Sequence, residues 1–208
     1  MEDVLEVYTR PYDPRFPQVC MDEMPEQLLG ETRASLPVKP GTVARIDHEY
    51  AREGVANVFL FCEPLRARRW AEVTARRTKQ DWAHQIQALV DVHYPDAERI
   101  VLVIDNLNTH SPASLYDTFP SAEAKRLADK LEIHYTPKHG SWLNIAEIEL
   151  SVLSRQCLDR RIPNAATLQS EITAWQQHRD RLGGTVDWRF TTADARIKLK
   201  RLYPSFHE

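Results

Sequence analysis

Three acidic residues stand at points where different segments of the chain begin or end. Asp22 lies in QVCMDEM, Asp105 closes the apolar run RIVLVID, and Glu147 opens the amphipathic stretch NIAEIELSVL. If folding brings the three carboxylates together, their mutual repulsion makes a bound divalent cation the expected counter-charge. Two such ions, about 4 Å apart, can support in-line cleavage of a phosphodiester. The three residues therefore predict metal-assisted chemistry on a phosphodiester.

Each of these acids also has an ordinary structural explanation. Asn144 and Glu147 fit a capping box, in which Asn144 caps the helix and Glu147 reaches back to it. Asp105 could form a turn or a helix cap, and Asp22 could lie on a solvated strand beside Glu23. The residue types alone leave both explanations open.

The charge of the chain is unevenly distributed. The net charge is −3, yet residues 64–80 carry six bases and one acid, and residues 151–208 carry ten bases and six acids. A phosphate backbone would favour such basic segments, although solvated helix faces are the alternative. The residues predicted to contact DNA phosphates are Arg66, Arg68, Arg69, Arg76, Arg77, Lys79 and the stretch 196–201.

The loop that precedes Glu147 contains further candidates for nucleic-acid contact. Lys138 and His139 could bind phosphate, and Trp142 could stack on a base, although Trp142 could equally belong to the core. The three cysteines are far apart and form no CxxC pair, so neither a zinc site nor a disulfide framework is predicted. No apolar stretch approaches the length of a membrane span, and the N-terminal MEDVLEVYTR is not a signal peptide. A cytoplasmic protein without a membrane partner is expected.

The length of 208 residues and the hydrophobic content of 42% indicate one globular domain with small appendages. Pro11, Pro14 and Pro17 predict an extended leader over residues 1–17. The domain proper is predicted over residues 18–185, and a basic tail over residues 186–208.

Periodicity predicts an α/β fold with a mixed five-stranded sheet and helices on both faces. The apolar run Arg99–Asp105 predicts an inner strand, because both of its faces are apolar. Further strands are predicted at 19–22, 42–50, 56–62 and 133–136, with a turn at Arg52-Glu53-Gly54 between the second and third. Helices are predicted at 79–93, 113–131 with a break at Pro120, 144–159 and 167–181.

Three segments, IDNLNTH, YTPKHGSWLN and AEIELSVLSRQ, resemble the catalytic domain of IS630-type transposases within the Tc1/mariner group. The resemblance extends from about residue 17 to 203. It implies that Asp22, Asp105 and Glu147 form a DDE triad, which is both catalytic and metal-binding, in an RNase H-like fold. It further implies two Mg²⁺ or Mn²⁺ ions, cleavage of DNA at transposon ends, strand transfer into a TA-containing target, and a homodimer.

Relatives in that family begin with helix-turn-helix domains, whereas only 21 residues precede Asp22 here. We therefore expect either a separate N-terminal helix-turn-helix polypeptide from a split reading frame or a truncated copy. Two alternative functions stay open: an RNase H-like nuclease or resolvase that cuts without joining, and an inactive module that only binds DNA.

Overall fold

The computed structural model describes residues 1–33, 40–41, 48–138 and 140–203. Its centre is a mixed sheet of five strands in the order β3-β2-β1-β4-β5. Strand β1 is antiparallel to β2 and parallel to β4, while β2–β3 is antiparallel and β4–β5 is parallel. The strands are β1 (Gln18–Glu31), β2 (Tyr50–Glu63), β3 (Arg68–Thr74), β4 (Ile100–Ile104) and β5 (Leu131–Tyr135).

Helices cover both faces of this sheet, as the sequence predicts. Alternate residues of β1 divide between two apolar cores, with Cys20 packed on one face and Val19 and Met21 on the other. The Cys20 face is covered by α1, α5, α6 and α7, and the opposite face by α2, α3 and α4. The helices are α1 (Glu2–Tyr8), α2 (Lys79–Ala88), α3 (Pro112–Thr118), α4 (Ser121–Asp129), α5 (Ile145–Leu153), α6 (Ala165–Leu182) and α7 (Thr192–Lys198).

Most predicted elements form close to their expected positions. Strand β4 is fully buried, in agreement with its apolar residues on both faces. One π-helical turn extends α2 to His93 and another extends α5 to Leu158, so both helical regions match the predicted lengths. The prediction of an α/β fold with a five-stranded mixed sheet is confirmed.

The predicted extended leader is wrong at its beginning, because Glu2–Tyr8 forms α1. Val4, Leu5 and Val7 are fully buried in the core on the Cys20 face, and this burial stabilises a helix that the later prolines do not interrupt. In the predicted basic tail, Arg196 of α7 pairs with Glu2 of α1, so the two ends of the described chain pack together. None of the described helices combines the length and the apolar character that a bilayer crossing requires.

The predicted turn at Arg52-Glu53-Gly54 is wrong, because these residues lie inside β2. Leu28 pairs with Gly54 and Leu29 with Arg52, so Glu53 is the extra residue of a β-bulge. Gly54 has a φ of 111°, which a residue with a side chain rarely adopts. Of the strand predicted at 42–50, residues 42–47 lie outside the described residues.

Candidate metal centre

The parallel pairing of β1 and β4 brings two of the predicted acids to the same level. Cys20 lies beside Val103, so two residues further along both strands Asp22 and Asp105 reach the same end of the pairing. Asp22 shares its face of β1 with Cys20, the face on which α5 packs. Glu147 lies in the first turn of α5. We call the end of the sheet where these three acids lie the carboxylate edge.

Asn144 connects the element that holds Asp22 to the element that holds Glu147. It is fully buried, and its side-chain amide donates to the carbonyl oxygen of Met21 at 2.9 Å and to Oδ2 of Asp22 at 3.3 Å. Its side-chain oxygen accepts a hydrogen bond from the backbone N–H of Ala146 at 3.1 Å and so caps α5. One buried amide therefore fixes the start of α5 against β1.

The Glu147 carboxylate is not used for helix capping. Capping boxes form at Thr78–Asp81 and Thr191–Asp194, whereas at α5 only the Asn144 side chain caps the helix. Glu147 Oε2 is buried and has no hydrogen-bond partner among the described residues. A buried carboxylate oxygen without a partner is costly, and a cation would satisfy it.

The Asp22 carboxyl is electrostatically coupled to the other two acids. Burial raises its pKa from an ordinary value of 3.8 to about 7, and the negative charges of Asp105, Glu23 and Glu147 add to this rise. The backbone N–H of Glu23, which donates to Asp22 Oδ1 at 2.8 Å, opposes it. The ionised form of Asp22 therefore needs a positive charge close by.

Asp105 has a basic partner in His110, five residues further along the chain. His110 Nδ1 lies 2.5 Å from Asp105 Oδ1, and His110 Nε2 lies 3.1 Å from Glu23 Oε2. Burial lowers the pKa of His110, but the two carboxylates outweigh it and raise the pKa to about 9. At neutral pH the ring is therefore a cation, whose Nδ1 donates to Asp105 and whose Nε2 forms an ion pair with Glu23. The histidine of IDNLNTH was the single sequence signal for this contact, and Glu23 gave none.

A cleft of about 330 Å³ opens beside Asp105. Its lining includes the exposed side chains of Asn106, Lys138 and Ser141, so polar groups and one cation face the space next to the carboxylate. His139 lies outside the described residues. Trp142 is 40% exposed, and its ring meets the Phe190 ring edge-on at a centroid distance of 5.8 Å. The indole ring of Trp142 therefore packs against Phe190 on one side and is accessible to solvent on another.

As placed, the three acids converge without closing around one point. No group of three or more His, Cys, Asp or Glu side chains in the described parts of the chain is arranged as a ready metal site. The donor set itself fits Mg²⁺ or Mn²⁺, which take carboxylate oxygens and keep several waters.

The structure divides the basic segment 64–80 into two parts. Arg66 precedes β3 and Arg68 is its first residue, at the end of the sheet away from Asp105. Arg76, Arg77 and Lys79 lie beyond the last residue of β3. Arg76 and Arg77 are exposed, and Lys79 pairs with Asp117 at 3.0 Å across the surface. Arg68 lies over the rings of Trp70 and Tyr94.

The prediction that Arg69 contacts DNA is wrong. Its side chain is 3% exposed, lies 3.1 Å from Glu149 Oε2 and donates to Asp180 Oδ1 at 2.7 Å. Glu149, which also accepts from Arg179 at 3.0 Å, is buried as well. Arg69 therefore joins β3 to α5 and α6, and phosphate could reach it only by breaking this network.

The family model for the DDE superfamily endonucleases matches residues 17–169. The chain belongs to this family. The matched segment of the DDE domain contains Asp22, Asp105 and Glu147. No curated protein matches the chain.

Solved structures of the Mos1 mariner proteins have a similar fold. The chain is 15% identical to the Mos1 mariner protein in its paired-end complex with Mn, with a TM-score of 0.57 over 86% of this chain and 54% of the Mos1 chain. The paired-end complex with Mg is 15% identical, with a TM-score of 0.58 over 88% and 55% of the two chains. The strand transfer complex is 14% identical, with a TM-score of 0.57 over 86% and 53%. The chain thus spans about half the length of the Mos1 chains, and its mixed sheet matches their RNase H-like fold.

Proposed function

We propose that this DDE domain is the catalytic part of a transposase and that Asp22, Asp105 and Glu147 hold two Mg²⁺ or Mn²⁺ ions. The observation that supports this best is the convergence of three acids from separate elements at one edge, with Glu147 Oε2 buried and without a hydrogen-bond partner in the described parts of the chain. When bound, two divalent ions activate an attacking oxygen and neutralise charge on the phosphoryl group. The same centre would serve strand cleavage by water and the later attack of a DNA 3′-hydroxyl on a target phosphodiester, which joins the 3′ end to one target strand and releases the 3′-oxygen of the other fragment.

The contributions of the three acids follow from their surroundings. Asp22, partly buried between Asn144 and the backbone of Glu23, is fixed in position. Asp105 uses Oδ1 for His110, which leaves Oδ2 for a ligand. Glu147 brings an oxygen that no described protein group satisfies. All three supply the hard oxygen atoms that these ions require.

DNA is the proposed substrate, because the cleft beside Asp105 and its surroundings offer phosphate and base contacts. Lys138 lines the cleft, Trp142 presents a partly exposed ring, and Arg76 and Arg77 are exposed beyond β3. A cation near the reacting phosphate and an aromatic ring for stacking are typical of such surfaces. The similarity to Mos1 complexes, whose names include paired ends, strand transfer, Mn and Mg, supports the same choice.

Finer assignments depend on the sequence motifs. We propose an IS630-type element, a TA-containing target, a homodimer and a helix-turn-helix partner polypeptide that recognises transposon ends. IDNLNTH and the LNIAE segment support the first of these, and the others follow by analogy with that family.

Metal-dependent nicking of a supercoiled plasmid tests the proposal. The wild-type chain should relax the plasmid with Mg²⁺ or Mn²⁺, while Asp105→Asn and Glu147→Gln should nick only at the background rate. Asp129→Asn removes an exposed acid that pairs with Lys125 on α4, and it should nick like the wild type. Unchanged nicking by Asp105→Asn would show that the assignment is wrong.

A nuclease that cuts without joining is the second candidate, because the matching family is described as endonucleases. The two are separated by supplying pre-cut DNA ends with free 3′-hydroxyls together with a target duplex. Joined product supports the transposase, and nicking of the target without joining supports the nuclease.

A further inference from the structure

A buried histidine at the carboxylate edge links Glu23 of β1 to Asp105, the residue that follows β4. His110 is 1% exposed and stacks beside Trp82 of α2, at a centroid distance of 5.9 Å. Glu23 follows Met21 on the face of β1 that α2 covers, whereas Asp22 lies on the face that α5 covers. His110 therefore reaches Asp105 from the side opposite to Asn144 and Glu147.

The loop that presents His110 is itself fixed by hydrogen bonds. The backbone N–H of His110 donates to Leu107 at 2.9 Å, and the hydroxyl of Tyr135 donates to the carbonyl oxygen of His110 at 2.9 Å. The ring has little freedom, because Trp82 packs beside it and both of its nitrogens face carboxylates. The ring is consequently a rigid contact for Asp105.

Such a contact matters because Asp105 is otherwise free to rotate. The terminal torsion of an aspartate is broad, so its two oxygens exchange positions readily unless one of them is held. His110 holds Oδ1 at 2.5 Å, while the Asp105 side chain is 26% exposed toward the cleft. Glu23, whose side chain is 2% exposed, in turn lies 3.1 Å from the far nitrogen of the ring.

We propose that His110, anchored by Glu23, is a positioning residue that orients Asp105 for divalent metal. The inference depends on the proposed function, since it takes Asp105 as a metal ligand. Ligating carboxylates are commonly fixed by such outer hydrogen bonds, and loss of one typically costs about 10- to 100-fold in metal affinity or activity.

Two conservative substitutions separate positioning from space-filling. The amide nitrogen of asparagine takes the approximate place of histidine Nδ1, so His110→Asn keeps the donor to Asp105. That of glutamine takes the approximate place of Nε2, so His110→Gln keeps the contact with Glu23 and loses the one with Asp105. If His110 positions Asp105, His110→Asn should preserve Mn²⁺ affinity better than His110→Gln. If His110 only fills space, His110→Gln should preserve it better, because glutamine is the larger side chain.

The readout is the dissociation constant for Mn²⁺, measured on the full chain without DNA from the electron paramagnetic resonance signal of free Mn²⁺. His110→Gln and His110→Ala should weaken binding about 10- to 100-fold, and His110→Asn should stay close to the wild type. Glu23→Gln keeps the side-chain volume and should give a smaller loss in the same direction. It also provides the test if His110→Ala does not fold.

His134 provides a matched control. It is 8% exposed, and its ring nitrogens lie 2.8 Å from Asp3 and 2.9 Å from Glu132, so its surroundings resemble those of His110 without a predicted metal ligand. His134→Gln should lower the thermal unfolding temperature in EDTA and leave Mn²⁺ affinity unchanged.

The outcomes distinguish this inference from the proposed function. If wild type and Asp105→Asn bind Mn²⁺ equally, Asp105 is not a metal ligand, and both the proposed metal centre and the positioning role of His110 are wrong. If Asp105→Asn loses binding while every His110 variant binds like the wild type, positioning alone is overturned. It is overturned equally if Gln preserves affinity better than Asn.

Discussion

The side chain of Asn144 donates to the carbonyl oxygen of Met21, 2.9 Å away, across the boundary between α5 and β1. The same amide lies 3.3 Å from Asp22 Oδ2, and Asn144 is also the cap of α5. The spacing between Asp22 and Glu147 thus depends on one residue that is neither acidic nor a predicted ligand. Its capping and bridging roles can be separated by mutation.

Asn144→Asp should preserve the helix cap and break the bridge. Aspartate caps helices about as well as asparagine, but it offers no donor to Met21 and brings a negative charge next to Asp22. We expect a loss of about 1–3 kcal/mol in the free energy of unfolding, the usual cost of an unsatisfied buried group. Plasmid nicking should fall at the same time. Urea denaturation and the nicking assay measure the two effects.

Asn164→Asp is the matched control, because Asn164 caps α6 through Thr167 at 2.8 Å and is exposed. It should change neither stability nor nicking appreciably. Equal effects of the two substitutions would show that Asn144 acts as a helix cap alone.

Stability without metal should fall as the pH rises through neutrality, because of Asp22. Burial raises the pKa of Asp22 to about 7 in the folded chain, above its ordinary value of 3.8. Folding therefore favours the protonated form, so this stabilisation is complete below the ordinary value and is lost as pH rises through about 7. Between pH 5 and pH 8 in EDTA, we expect wild type to lose on the order of 2–4 kcal/mol relative to Asp22→Asn.

Added Mn²⁺ gives the second half of that test. At pH 8 it should restore stability to the wild type and not to Asp22→Asn, because the ion binds the folded state through the ionised carboxylate. Asp96→Asn, at an exposed acid, should follow the wild-type pH profile. If the Asp22→Asn and wild-type profiles run parallel, Asp22 does not titrate in this range.

The local elements of this fold follow from local patterns. Strand β4 is predicted by an unbroken apolar run, and α2 by apolar residues at helical spacing, because both signals lie within about a dozen neighbouring residues. Asp105 and Glu147 are likewise predicted from their positions directly after β4 and in the first turn of α5, whereas Asp22 lies inside β1, which continues to Glu31 beyond the predicted strand 19–22. The bulge at Glu53 is missed, because Arg-Glu-Gly is typical of a turn and only pairing with β1 keeps it inside a strand.

Contacts between distant segments could not be predicted in this way. Arg69 and Glu149 are charged residues, which are expected at the surface. They are nevertheless both buried, and they form an ion pair between β3 and α5, which are far apart in sequence. The pairing of Glu23 with His110 is of the same kind. None of these four residues has a distinguishing pattern in the sequence, because the cost of burying each one is offset only by a partner that folding brings close.

Arg69→Met should be among the more destabilising substitutions in this chain. It leaves Glu149 buried with Arg179 alone and removes the cation beside Asp180, and a buried charge that loses its partner typically costs about 3–5 kcal/mol. The free energy of unfolding in urea gives the measurement.

Arg126→Met offers a comparison with the same number of acidic partners at the surface. Arg126 pairs with Asp91 and Glu123, but its side chain is 44% exposed, so the expected loss is at most about 1 kcal/mol. Similar losses for the two substitutions would mean that the Arg69 network is no more costly to break than a surface pair.

Arg76 and Arg77 should contribute to DNA affinity more than Arg66 does. Arg66 lines a cleft with Pro17 and Ala97, which precede β1 and β4, whereas Asp105 follows β4, so Arg66 lies at the opposite end of these strands. Arg76 and Arg77 follow β3, which runs parallel to β4 and therefore ends on the same side of the sheet as Asp105. A duplex bound over the carboxylate edge would therefore contact Arg76 and Arg77 and not Arg66.

Each lost phosphate contact should reduce the slope of log K against log salt by about 0.9. The double variant Arg76→Gln/Arg77→Gln should reduce it by up to about 2, and Arg66→Gln should leave it unchanged. Fluorescence anisotropy of a labelled duplex in EDTA, at several salt concentrations, measures the slope without cleavage. A larger effect of Arg66→Gln would place the DNA at the opposite end of the sheet, away from Asp105, and would contradict the proposed path.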